Sequence, residues 1–281
     1  MSASPTETAA TLFHCSDLHF GHPAVPEQYE AIEALIQERL YDVVVISGDL
    51  TQRHRTGEFQ RARSFIQHAR QVSDVLVIPG NHDVPWWKAP FGFGDPRKLL
   101  AKYQRYIDPD VEPVLRENGV VLVGLNTSQG VKRHTLTWNL RDIGVIGHLS
   151  KAQLEHARRE FDSSRASDAR VIVMHHNPVR GELSGRHGLK NTTKILGAFA
   201  DMGVDLVLCG HDHQEAVHYI EHTKKGTIIS TAGTVSNRSR GGWPSSVNSI
   251  RITPNEIEVA TLVWSDQTKH FMPGPAKCFA R

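Results

Sequence analysis

Asp205-Leu206-Val207-Leu208-Cys209-Gly210-His211-Asp212-His213 is the stretch on which the reading of the fold turns. Its apolar run, Leu206 to Leu208, reads as a short buried strand. Gly210 then permits a sharp turn, and His211 and His213 follow two residues apart. Two imidazoles at that spacing on extended backbone diverge, so one pair can serve two neighbouring metal ions. The bland alternative is a polar turn that happens to hold histidines. What separates the two is whether strand, turn and donor recur elsewhere.

They recur four times. Leu12 to Ser16 runs into Asp17-Leu18-His19, Val43 to Ile46 into Gly48-Asp49, Val75 to Ile78 into Gly80-Asn81-His82-Asp83, and Val171 to Met174 into His175-His176-Asn177-Pro178. Helical spacing separates these runs, first at Ile32, Leu35, Ile36 and Leu40, then at Phe59, Ala62, Phe65, Ile66 and Ala69. Ser150 and Gln153 have capping-box spacing ahead of Leu154, Ala157 and Phe161, and Ile195, Leu196, Phe199 and Met202 mark a further helix. Strands alternating with helices imply parallel βαβ units, whose ligands gather at the carboxyl ends of the strands. Val120–Leu125 and Thr227–Thr231 read as further strands, and 247–252 with 257–264 as a closing hairpin around Pro254-Asn255. The expected organisation is a tail over 1–10, one domain over 11–265 and a tail over 266–281. An excursion over 84–119, with Trp86, Trp87, Phe91 and Phe93, is expected to pack over one edge of the site.

Composition narrows the class. The 281 residues are 39% apolar, and no apolar run approaches the roughly 20 residues of a membrane helix. Met1 to Thr11 has neither a basic start nor an apolar centre, so it does not read as a secretory signal. The net charge of +2 selects neither a nucleic-acid nor a membrane surface. Three cysteines give no disulfide framework and point to a reducing, cytoplasmic setting, with Cys15 and Cys209 as small buried residues. Histidine is the unusual count, at 17.

Asp17, His19, Asp49, Asn81, His82, His175, His211 and His213 therefore stand behind five apolar strands. Carboxylate, amide oxygen and imidazole suit Mn, Fe or Zn. Asp49 has two carboxylate oxygens and can bridge two ions. Ions about 3.5–4 Å apart share and acidify a water and clamp the oxygens of an in-line displacement. That chemistry serves phosphate esters, whose transition state needs charge neutralisation and alignment.

The series Asp17-x-His19, Gly48-Asp49, Gly80-Asn81-His82-Asp83, His175 and Gly210-His211-x-His213 resembles the calcineurin-like metallophosphoesterase superfamily over residues 11–213. The resemblance implies an α/β fold, a four-layer αββα sandwich of two mixed sheets. It implies one metal held by Asp17, His19, Asp49 and His213 and a second by Asp49, Asn81, His175 and His211, with a hydroxide between them as nucleophile. His82 would face the substrate, and Asp83 would orient His82. Ser16-Asp17-Leu18-His19 and Ser47-Gly48-Asp49-Leu50-Thr51 are similar to the bacterial class III cyclic-nucleotide phosphodiesterases.

His54, Arg55, His187 and Arg240 are the candidate substrate contacts, because forked guanidinium donors suit phosphate. Solvated loop charge is the competing reading for each. The expected activity is a dinuclear phosphodiesterase acting on a small-molecule phosphodiester. A phosphomonoesterase or nuclease of the same superfamily and a non-catalytic metal-stabilised scaffold are the rival readings. A nucleic-acid partner and a homodimer both stay open.

Overall fold

The computed structural model describes residues 9–85, 96–128, 146–182, 185, 188–222, 225–236 and 241–281. Val43–Ile46 is four β-branched residues in a row, and such a run favours a strand buried on both faces. It forms β2, parallel to β1 (Ala10–Cys15) on one side and to β3 (Asp74–Val77) on the other. The first sheet is completed by β10 (Ser246–Ile252), β11 (Glu256–Ser265) and β12 (His270–Ala280), in the order β12-β11-β10-β1-β2-β3. The second sheet runs β4-β5-β6-β7-β9-β8. Its strands are β4 (Val114–Glu117), β5 (Val120–Leu125), β6 (Ala169–His176), β7 (Leu206–Gly210), β8 (Ala216–Ile220) and β9 (Thr227–Thr231). β5, β6, β7 and β9 are parallel, and both edge strands are antiparallel.

Alternation along each strand sorts its side chains into two layers. Leu12, Val43, Val45 and Leu76 of the first sheet meet Leu122, Val171, Val173, Leu206 and Leu208 of the second in one apolar core between the sheets. Phe13, Val44 and Ile46 face outward, under α1 (Pro26–Arg39) and α2 (Thr56–Ala69). Ile172, Met174 and Val207 lie under α5 (Lys151–Asp162) and α6 (Thr192–Asp201). The result is the expected four-layer αββα sandwich. Cys15 and Cys209 are fully buried on the outward faces.

One expectation is corrected. The tail expected over 266–281 is mostly strand: β12 pairs with β11 from Ser265↔His270 to Glu256↔Ala280. Pro273, Gly274 and Pro275 erase the strand pattern from its sequence, and an edge position tolerates them. In the described part of the 84–119 excursion, Val84 and Leu99 form a small apolar cluster. After α3 (Pro96–Leu99), α4 (Ala101–Tyr106) seats Tyr103 in the core of the first sheet, its hydroxyl donating to the Val77 carbonyl at 2.9 Å. β4 then joins the second sheet, so the segment carries the chain from one sheet to the other. Trp86, Trp87, Phe91 and Phe93 lie outside the described residues.

Candidate metal centre

β1, β2 and β3 end side by side, and β6 and β7 end beside each other in the second sheet. Their following turns bring the donors together on one edge of the sandwich. Gly48 has φ +100°, and a Cβ there would meet Gly80 and His175 Nδ1 at 2.8 Å. Only glycine lets the two turns and that imidazole pack so closely. At Gly210 a Cβ would collide with Ser16 Oγ and Asp17 Oδ2, so the bare backbone at the end of β7 packs there directly on side chains that follow β1.

Two donor sets result. Asp17, His19, Asp49 and His213 each offer a ligand atom within 4.8 Å of the others. Asp17 Oδ1 lies 3.1 Å from His213 Nε2 and 3.6 Å from His19 Nε2, and the two Nε2 atoms are 3.1 Å apart. On the other side, Asn81 Oδ1 lies 3.1 Å from His175 Nε2 and 3.0 Å from His211 Nδ1. Asp49 Oδ2 stands between the sets, 3.8 Å from His19 Nε2 and 3.4 Å from His175 Nε2. All seven expected ligands are therefore brought together, with Asp49 at the shared corner. Five of them, Asp17, His19, Asp49, His211 and His213, have positive φ between 46° and 74°. Such backbone is held against its preference, as functional sites often require.

The electrostatics suit a cation. Burial alone would raise the Asp17 carboxyl, but His213 and His19 hold it well below the usual carboxylate range. Burial likewise opposes ionisation of Asp49, and His175, His82 and His19 overcome it. His175 is penalised by burial yet raised to about 9 by Asp49 and Asp17. Burial and the neighbouring His175 push His211 down to about 3. Two buried, ionised carboxylates facing imidazole nitrogens form a donor set of the oxygen and nitrogen type that holds Mn, Fe or Zn.

His82 is half-buried, and its ring stands edge-on to His19 with centroids 4.8 Å apart. Its Nδ1 lies 2.9 Å from the Gln52 carbonyl, which can only accept, so Nε2 is the nitrogen left to act on a ligand. Asp83 differs from expectation. Its carboxylate accepts from the N–H groups of Leu50, Thr51 and Gly80 and from the Thr51 hydroxyl, at 2.8–3.0 Å. It ties the 48–51 turn to the 80–83 turn, and Gln52 is the group that orients the His82 ring.

Gln52, Ser47 and His176 join the site beyond the residues that the sequence pattern marks. A backbone carbonyl such as those of Ser47 and Gln52 leaves no side-chain signature. His176 was visible as half of a doublet. The β6 register breaks between Val173 and His176, and a His176 ring nitrogen lies within 4.8 Å of ligand atoms of His175 and His211, with Nδ1 meeting Thr127 Oγ1 at 2.7 Å and the ring packed on His211. Of the substrate candidates, His54 is buried with its ring edge-on to Phe59 at 5.2 Å. Arg55 is exposed at the start of α2, its N–H bonded to Glu58 at 3.0 Å. His187 and Arg240 lie outside the described residues.

Paired mixed sheets with two Asp/His donor sets on a common carboxyl edge define a metallophosphoesterase. The chain belongs to the calcineurin-like phosphoesterase family, whose model matches residues 10–215. It is similar to a probable cyclic nucleotide phosphodiesterase of Synechococcus sp., 22% identical over 240 residues, covering 84% of this chain and 82% of that protein. The fold is similar to the purple acid phosphatase PPD1 from yellow lupin seeds, with TM-score 0.68, 11% identity and 98% of this chain covered. This chain spans 54% of that enzyme's length. It is also similar to PhoD, with TM-score 0.64 and 12% identity over 98% of this chain and 69% of that one. GAP50, described as the anchor in the inner membrane complex of Plasmodium, has TM-score 0.56 and 13% identity, over 92% and 85% of the two chains.

Proposed function

We propose that this phosphoesterase is a dinuclear phosphodiesterase acting on small phosphodiesters, with cyclic nucleotides as the first substrates to try. The observation that carries the reading is Asp49 Oδ2, placed between two donor sets beside an accessible imidazole. The Synechococcus relative's name supports the cyclic-nucleotide substrate, and the three unpaired cysteines support a cytoplasmic setting.

Asp17, His19, Asp49 and His213 would hold one cation, and Asp49, Asn81, His175 and His211 the other. Bound Mn²⁺ or Fe ions would acidify a water and neutralise phosphoryl charge. The chain supplies the rest. The Ser47 carbonyl accepts from His175 Nδ1 at 2.8 Å and turns Nε2 toward Asn81. The Gln52 carbonyl accepts from His82 Nδ1–H, so Nε2 would donate to the phosphoryl oxygens or to the leaving oxygen from the imidazolium form, which carries a hydrogen on both nitrogens and returns to neutral imidazole on giving one up. The His82 N–H donates to Asp49 Oδ1 at 2.8 Å, tying the proton donor to the shared carboxylate.

The test is hydrolysis of bis-nitrophenyl phosphate and a panel of cyclic nucleotides, phosphomonoesters and single-stranded DNA, with Mn²⁺ added or chelated. Metal-dependent cleavage of diesters in preference to monoesters is expected. Preference for monoesters or DNA would replace the phosphodiester reading with its enzymatic rivals. Metal binding without turnover on any substrate would favour the metal-stabilised scaffold. His82→Ala should cut turnover by roughly 10²–10⁴ while leaving metal content intact.

A further inference from the structure

Between the metal centre and the apolar inter-sheet core lies one polar layer. On β1 the inward residues step from Leu12 to His14, reaching Ser16 just past its end, and past β2 they step from Val45 to Ser47. On β10 they step from Ile250 to Asn248, and on β9 from Ile228 to Ser230. His14, Ser47, Asn248 and Ser230 are all fully buried. Asn248 spans the sheets, donating to Ser230 Oγ at 3.1 Å. His14 Nε2 lies 2.9 Å from Ser47 Oγ.

We propose that His14 is a positioning residue for the second cation site, acting through Ser47 on His175. The proposal rests on the dinuclear reading above. Ser47 is held by its side chain from His14 and by its carbonyl from His175 Nδ1 at 2.8 Å and Ser16 Oγ at 3.3 Å. That carbonyl fixes which His175 nitrogen carries the hydrogen, and so presents Nε2 to Asp49 and Asn81. Partners of this kind orient a ligand and typically set 10–100-fold in metal affinity. There is little slack, because Gly48 follows directly, pressed against Gly80 and His175. A shift at residue 47 therefore moves the His175 ring. A leucine would suit this depth better than a buried imidazole. His14 Nδ1 and Oδ1 of its register partner Asn248 have no hydrogen-bond partner among the described residues. A residue that breaks the local packing rule points to a functional role.

The experiment is Mn²⁺ titration of the full chain by calorimetry, with electron paramagnetic resonance to count coupled ions. His14→Leu and Ser47→Ala should each weaken the second ion about 10–100-fold and leave the first unchanged. His14→Gln, which keeps a polar group toward Ser47, should recover most of the loss. The double variant should be no worse than His14→Leu alone. If His14→Leu does not fold, Ser47→Ala carries the same expectation. Unchanged affinity for the second ion in either folded variant, or equal weakening of both ions, overturns the positioning role. A wild-type protein that takes up one ion removes the dinuclear reading and this proposal together. Two ions without hydrolysis remove only the phosphodiesterase reading.

Discussion

Asp49 uses both carboxylate oxygens in different directions. Oδ2 faces His19 and His175, while Oδ1 accepts the His82 N–H at 2.8 Å. Asp49→Ala should therefore lose both ions, not one, and drop metal-dependent turnover by more than about 100-fold, measured as bound metal and rate in the same sample. Asp83 should behave oppositely. Removing its carboxylate strands three buried N–H groups, each worth about 1–3 kcal/mol when unsatisfied. Asp83→Ala should thus destabilise the protein in urea even after chelation, which a purely catalytic role would not do. His14 makes a prediction about acid. Burial lowers it from 6.5 to about 3, so the folded state resists a proton that the unfolded chain accepts. Stability present above about pH 6.5 is therefore lost as pH falls toward 3, by an amount on the order of a few kcal/mol. Chelated His14→Gln should show a shallower fall in unfolding free energy between pH 7 and 4.5 than chelated wild type.

At the scale of elements, local chemistry was legible where it was self-contained. The Ser150–Gln153 spacing is a capping box in the fold: Ser150 Oγ accepts the Gln153 N–H at 3.3 Å, and Gln153 Oε1 accepts the Ser150 N–H at 2.8 Å. Ser150→Ala should cost about 1 kcal/mol, a fall in Tm of roughly 2–4 °C for a chain of this size. The helix's buried Ala157 and Phe161 lie on the face that the sequence spacing marked. β8 and β12 were not legible. β8 (Ala216–Ile220) is an edge strand whose residues are half-buried or exposed, so it lacks a clean alternation of apolar and polar positions. The prolines of β12 argue against a strand everywhere except at an edge.

Across the whole molecule, the candidate ligands divide between the sheets. Asp17, His19, Asp49 and Asn81 follow strands of the first, while His175, His211 and His213 belong to strands of the second or follow them. Bound ions would therefore hold the two sheets together at their carboxyl edge. At the opposite edge, Asp205 makes a comparable link by protein contacts alone through Arg281 at 3.2 Å, and pairs with Lys225 within its own sheet. Removing metal with chelator should lower Tm, and adding Mn²⁺ to 100 times its Kd should restore about 2.7 kcal/mol, read by thermal unfolding. No change in Tm on chelation would mean that the donors do not bind cations in the folded state. Among the described residues no helix is long and apolar enough to cross a membrane.

The sequence by itself determined the alternation of strands and helices, the seven candidate ligands and the family's chemistry. These depend on residue types at short spacing, and each segment carries its own pattern. Tertiary structure alone decided that Asp49 stands between the two donor sets, that Asp83 braces turns while Gln52 orients His82, and that His14 reaches His175 through Ser47. Those facts depend on backbone carbonyls and on contacts between residues far apart in the chain. Neither leaves a trace in local composition.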